Sequence, residues 1–192
     1  MKKLIVLACL ASTVAITSGT AMADSIKGRL GVTGKIGVLI PADNDSGFRN
    51  NKTDAGFVGG AGLIYGLDDH FAVEALVTHT GFDSDDGDFD TTDFSLGGQY
   101  RFALANQQLV PFVGGGVDLL VNDYQYGDVD TTVGAHANAG IDLFLTRQLA
   151  LTAEARLLVA PDADITNNDG SRRGDFDPSS VSSTIGLRYF FN

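Results

Sequence analysis

Five carboxylates crowd into one octapeptide, Asp83-Ser-Asp-Asp-Gly-Asp-Phe-Asp90. Asp83, Asp85, Asp86, Asp88 and Asp90 offer the hard oxygen ligands that Ca²⁺ prefers, and Ca²⁺ is the one cofactor the residues suggest. The spacing is not that of an EF-hand, because Gly87 stands fifth rather than sixth and no distal Glu follows. A solvated acidic loop is the plainer account of the same residues. Arg173-Gly174-Asp175 spells an adhesion-type tripeptide. A Gly- and Asp-rich segment generates such a tripeptide easily, and Arg172 and Arg173 beside Asp175 and Asp177 also describe a solvated mixed-charge segment. Serine-based hydrolysis needs a hydroxyl, an imidazole and an orienting acid together. His79 is the one candidate base, and no neighbouring motif commits a Ser to it, so the chain is not expected to be an enzyme.

A second set of charges recurs at every other position within apolar stretches. Ile26 to Ile40 sets Ile26, Leu30, Val32, Ile36, Val38 and Ile40 against Lys27, Arg29, Thr33 and Lys35. Alternation of this kind marks a strand with two unlike faces. It repeats over Ala55–Leu67, where Gly56, Gly60, Gly62 and Gly66 oppose Phe57, Leu63, Tyr65 and Leu67, and from Phe71 to Thr80, where Glu74 opposes Phe71, Val73, Ala75 and Val77. Phe94 to Phe102 sets Ser95, Gln99 and Arg101 against Phe94, Leu96, Tyr100 and Phe102. Asp118 lies on the polar face of Leu109–Val121. His136, Asn138 and Asp142 do so in Val133–Leu145, as do Glu154 and Arg156 in the strand from Leu149. The last strand places Val181, Ser183, Ile185, Leu187, Tyr189 and Phe191 on one face and Arg188 on the other.

Residues 1–23 stand apart from this pattern. Lys2 and Lys3, the apolar run Leu4–Ile16 and Ala21-Met22-Ala23 have the form of a signal peptide, with cleavage expected before Asp24. Val6-Leu7-Ala8-Cys9 has the form of a lipobox, but cleavage there would leave too short an apolar region. Removal of the segment leaves 11 Lys/Arg against 24 Asp/Glu, a net charge of −13, and takes away the single Cys. So acidic a chain is not expected to bind nucleic acid, and it has no disulfide to form in an oxidising compartment. The remaining 169 residues fit one domain. No apolar run after residue 23 is long enough for a membrane helix, so a membrane-spanning form must be a closed sheet.

The connections alternate. Three tight turns, at Asp68–His70, Ala103–Gln108 and Thr146–Gln148, interleave with four longer loops, of which the longest is Pro161–Ser180. Short turns on one side and long loops on the other are the asymmetry of a transmembrane barrel, and each strand has the about 9–11 residues a tilted crossing needs. The fold class expected is all-β, an eight-stranded antiparallel up-and-down barrel. Tyr65, Phe71, Tyr100, Phe102, Tyr189 and Phe191 then form an outward aromatic girdle at the short-turn end. A soluble lipocalin-like barrel uses the same alternation with the faces exchanged, and parity alone does not choose between them. The signal peptide, the loop asymmetry and the terminal aromatic favour the membrane version.

Pro111-Phe-Val-Gly-Gly-Gly-Val117, Tyr65-Gly-Leu-Asp-Asp-His-Phe-Ala-Val-Glu74, Phe144-Leu-Thr-Arg-Gln-Leu-Ala-Leu151 and the terminal Tyr-Phe-Phe resemble the small eight-stranded outer-membrane barrels of the OmpA-transmembrane/OmpX/OmpW-like group. The sequence departs from that pattern in Asn192 after the terminal Phe and in having no Trp. The resemblance implies a bacterial outer-membrane location and a monomer. It also implies contact with lipid and lipopolysaccharide, and recognition of the last strand by the barrel-assembly machinery. Some small barrels of this kind modify lipid A, but the constellation required is not visible here.

In such a barrel Lys27, Arg29, Lys35, Glu74, Arg101, Asp118, Asp142, Glu154, Arg156 and Arg188 all point inward. Charges in so narrow a lumen must be paired or hydrated. The expectation is a salt-bridged plug or at most a narrow solute path, and no wide diffusion pore. The function expected is non-enzymatic, either envelope support or passage of small, including hydrophobic, molecules. Surface adhesion through the acidic loops is the alternative.

Overall fold

The alternation is realised as a sheet that closes on itself. The computed structural model describes residues 25–41, 55–82, 89–104, 108–124, 127–129, 131–166 and 172–191. The expected signal segment, with Cys9, and Asp83, Asp85, Asp86 and Asp88 lie outside the described residues.

Eight long strands make the barrel wall: β1 (Leu30–Pro41), β2 (Gly56–Gly66), β3 (Phe71–Phe82), β4 (Phe89–Arg101), β5 (Leu109–Tyr124), β7 (Thr132–Phe144), β8 (Leu149–Val159) and β11 (Ser180–Phe190). Three short strands, β6 (Gly127–Val129), β9 (Ala163–Thr166) and β10 (Arg172–Phe176), extend the long-loop end. Every pairing between strands is antiparallel. β1 to β5 pair in sequence, β5 pairs β7, β7 pairs β8, β8 pairs β11, and β11 returns to β1. The closing seam is long and regular, from Gly31 opposite Phe190 to Pro41 opposite Ser180. Closure leaves no free edge, so each backbone polar group in the wall has a ladder partner.

Two of the tight turns are built by side chains that replace missing ladder bonds. Asp68 Oδ1 accepts the amides of His70 and Phe71 at 2.7 Å each. Thr146 Oγ1 accepts those of Gln148 and Leu149 at 3.2 and 3.0 Å. Asp and Thr favour turns for this reason. At the other end, Pro161–Ser180 is not a loop throughout. β9 and β10 pair as a hairpin, and Arg173, Gly174 and Asp175 lie on its second strand, with Gly174 opposite Ile165.

The outer wall is apolar. Ile36, Ile185, Leu96 and Val117 are each more than half exposed, and below the level of His79 no charged side chain of the eight strands faces outward. A soluble barrel would present this face to water, so the faces stand as a membrane barrel requires. Tyr65, Phe71, Tyr100, Phe102, Tyr189 and Phe191 are all exposed at the short-turn end. Tyr100 meets Phe71 and Phe102 edge-on at 5.1 and 5.0 Å, and Tyr189 meets Phe191 at 5.3 Å.

One stretch breaks the parity. Ile26, expected on the outer face, is buried at 4% exposure inside the short-turn mouth. Gly28 takes a φ of 72°, a left-handed conformation that a side chain resists, and the turn it makes offsets the chain before β1 begins. Lys27 and Arg29 consequently leave the lumen. Lys27 is exposed, and Arg29 clasps the rim, donating to the carbonyl oxygens of Phe191, Arg147 and Phe190 at 3.2, 3.0 and 3.3 Å.

Candidate functional site: the barrel lumen

From the short-turn end upward, the lumen is filled in layers. The floor is apolar: Ile26, Ile64, Ala72, Phe144, Ala150 and Phe190 are buried together, with Val110 against them. The rings of Phe144 and Phe190 stack at 5.9 Å. Sequence parity placed Phe190 on an inward face otherwise small and polar; it and the other buried aromatics are the base of the plug.

Phe112 joins the floor to the charges above it. The Arg188 guanidinium carbon lies 4.9 Å from the centre of its ring, a cation–π contact in a dry setting. Gly140 lies opposite Phe112 across the β5–β7 ladder, and a Cβ there would come within 2.5 Å of the ring tip. Only glycine leaves room for that ring.

The lower charge cluster comprises Lys35, Glu74, Arg101, Asp142, Glu154 and Arg188, contributed by six different strands. Arg188 Nη1 donates to Asp142 Oδ1 and Oδ2 at 3.0 and 2.8 Å, and its Nη2 donates to Glu74 Oε1 at 3.0 Å. Arg101 Nη2 donates to Asp142 Oδ2 at 2.7 Å. Lys35 Nζ bridges Glu74 Oε2 and Glu154 Oε2 at 3.2 and 3.0 Å. Thr33, Gln99 and Asn138 occupy further carboxylate lone pairs at 3.2, 2.8 and 3.1 Å. Three cations meet three carboxylates, and Arg188 and Asp142 are 0% exposed. Burying so many charges is tolerated because each is matched in sign and hydrogen-bonded.

Above it, a cavity of about 10 Å³ lies between Gln99, Asn138, Glu154 and Arg156, room for one water. The upper cluster follows: Asp93, Asp118, His136 and Arg156. Arg156 Nη2 donates to Asp93 Oδ2 at 3.0 Å and also pairs with Asp118. His136 Nδ1 stands 2.9 Å from both Asp118 oxygens. Asp93 is buried in the lumen at 8% exposure. It is absent from the expected inward set because the expected strand begins at Phe94; one further step of the same alternation, from Gln99 through Ser95, reaches it.

The long-loop mouth holds a larger cavity of about 40 Å³, walled by Leu39, Leu120, Leu158, Pro178 and a group of hydroxyls, with Asp93 among its lining. Of the sequence-level charge set, eight residues thus meet in two clusters, and Lys27 and Arg29 do not. Of the five carboxylates of the acidic octapeptide, only Asp90 is described. Its Oδ1 lies 3.7 Å from His79 Nε2, while Thr92 Oγ1 is 3.1 Å from His79 Nδ1. This trio sits open on the outer wall, with the imidazole side chain 62% exposed.

The sequence matches the family model described as an outer membrane protein beta-barrel domain over residues 7–191. Among curated proteins, none matches it. The structure is similar to that of the outer membrane protein OprG from Pseudomonas aeruginosa, with a TM-score of 0.71 and 17% identity, covering 89% of this chain and 99% of that one. It is similar to Neisserial surface protein A, with a TM-score of 0.68 and 15% identity over 84% and 97% of the two chains. It is also similar to the E. coli outer membrane protein W, with a TM-score of 0.53 and 16% identity over 86% and 98%. At these identities the likeness is one of fold.

Proposed function

The chain belongs to the outer-membrane β-barrel family, and from that premise we propose that it is a sealed, non-enzymatic envelope barrel rather than a diffusion pore. Bacterial outer-membrane lipid, with its lipopolysaccharide, is its setting. One observation carries the reading: the lumen is crossed by a balanced ion-pair cluster resting on an apolar floor, with Arg101, Arg188, Phe112, Phe144 and Phe190 all at 2% exposure or less. An eight-stranded barrel encloses little more than its own side chains. A solute crossing it would have to separate buried charges. Breaking even one such pair costs about 3–5 kcal/mol.

The protein therefore contributes a rigid lipid-embedded wall, extended externally by the hairpin of β9 and β10. Its closing strand, with Tyr189 and Phe191 outward, is the element offered to the assembly machinery. Hydrolysis is not part of this reading. Thr92, His79 and Asp90 are neighbours, but they lie on an open wall, and the strand amides beside them are engaged in the β3–β4 ladder rather than free to stabilise an oxyanion.

The test is conductance of the purified, folded protein in planar bilayers, beside lipid A analysis of cells that produce it. We expect no sustained porin-like conductance and unchanged lipid A acylation. Large steady channels would refute the sealed lumen, and a new lipid A species that vanishes in His79→Ala would refute the non-enzymatic reading.

A further inference from the structure

The upper cluster is unequal. Asp93 and Asp118 share one guanidinium, Arg156, with His136 alongside. Asp93 Oδ2 takes its hydrogen bond from Arg156. Asp93 Oδ1 is buried and has no hydrogen-bond partner among the described residues. A buried carboxylate oxygen without a donor is costly and calls for one. Asp93 also lines the external mouth cavity of about 40 Å³. That volume exceeds what one water requires. Its walls combine apolar side chains, hydroxyls and, beside Asp93, a second carboxylate, Asp177. Leu39, Leu120, Leu158 and Pro178 are apolar, and Leu120 and Leu158 pack together with Ala160 as a small buried cluster. Thr78, Thr80, Thr91 and Ser180 supply hydroxyls around the carboxylate.

We infer that the external mouth is a binding site for a small organic ammonium ion, its N–H groups on Asp93 and its alkyl part against Leu39, Leu120 and Leu158. The ammonium brings a positive charge to a cavity-lining carboxylate that shares its one guanidinium, Arg156, with Asp118. The apolar wall distinguishes such a ligand from a bare metal ion, which would leave Leu39, Leu120 and Leu158 with nothing to pack against. The hydroxyls can satisfy remaining N–H donors. The site lies above the ion-pair plug, so occupancy requires no passage through the barrel and stands whether or not the lumen conducts.

The experiment is an NMR titration of the full barrel in lipid nanodiscs with n-butylammonium, n-butanol and calcium chloride as three probes. Butylammonium should shift the amides of Thr78, Thr80, Thr91 and Ser180 saturably, and butanol should bind about tenfold or more weakly, as loss of a charge-assisted hydrogen bond implies. Asp93→Asn should reduce butylammonium affinity by about the same factor. Thr78→Phe, which narrows the cavity and leaves the carboxylate, should abolish the saturable shifts while the strand spectrum stays folded. Equal binding of butanol, undiminished binding to either folded variant, or calcium competing for Asp93 at comparable affinity would each overturn the assignment.

Discussion

The two charge clusters of the lumen are both built from acidic and basic side chains and behave as opposites. The lower one has equal numbers of cations and carboxylates, stands on an aromatic floor and is closed to solvent. The upper one has two carboxylates for one guanidinium and lies beneath a cavity. What separates them is the neighbouring layer. Phe112, Phe144 and Phe190 exclude water below, so only a matched set of charges is tolerated there. Hydroxyls and open space above allow an imbalance to persist. A sealed barrel can thus carry a receptive mouth.

Substitutions sharpen the contrast. Asp142→Ala removes the carboxylate shared by Arg101 and Arg188 and leaves two buried guanidiniums facing each other. We expect a loss of about 3–5 kcal/mol, read as a lower urea midpoint for the change in gel mobility of the folded barrel in vesicles. Gly140→Val should displace the Phe112 ring and Arg188 with it, costing about 1–3 kcal/mol through overpacking. Its signature is lost near-ultraviolet ellipticity with the barrel still closed. In the upper cluster Arg156→Ala should cost less than Asp142→Ala, about 1–3 kcal/mol, because water from the mouth can solvate the freed carboxylates. A cost equal to that of Asp142→Ala would erase the distinction between the clusters.

The smallest effect belongs to a region outside both. The amides of His70 and Phe71 hold the Asp68 carboxyl below its ordinary range. A lowered folded value means that its support of the turn is present above the ordinary carboxylate range and is lost as pH falls through the lowered value. Because Asp68 lies on a solvent-facing turn outside the lumen, Asp68→Ala should leave unfolding unchanged and only speed amide exchange at His70 and Phe71.

Much of this architecture is legible in sequence, because a strand's faces are encoded by parity alone. Lys35, Glu74, Arg101 and Arg188 could be assigned inward from their neighbours. Who pairs with whom could not, since Lys35 reaches Glu154 across the lumen between strands that share no ladder. Ile26 and Arg29 escaped because Gly28 breaks the parity, and a positive φ leaves no periodic trace. The aromatic floor escaped for another reason: inward Phe112 and Phe144 look like exceptions on a polar face until closure brings them together. The hairpin of β9 and β10 was hidden in a Gly- and Asp-rich stretch whose composition signals loop.

The most direct test of the sealed plug and open mouth exploits the expected loss of the single Cys, Cys9, with the signal segment, which leaves an introduced cysteine as the one thiol. Thr78→Cys in the mouth and Thr152→Cys, at 1% exposure in the lower lumen, are treated with a small, charged, water-soluble thiol reagent in folded barrels. The account predicts rapid modification at position 78 and, until the barrel is unfolded, almost none at 152. Comparable rates at both positions would show a continuous aqueous lumen and contradict it.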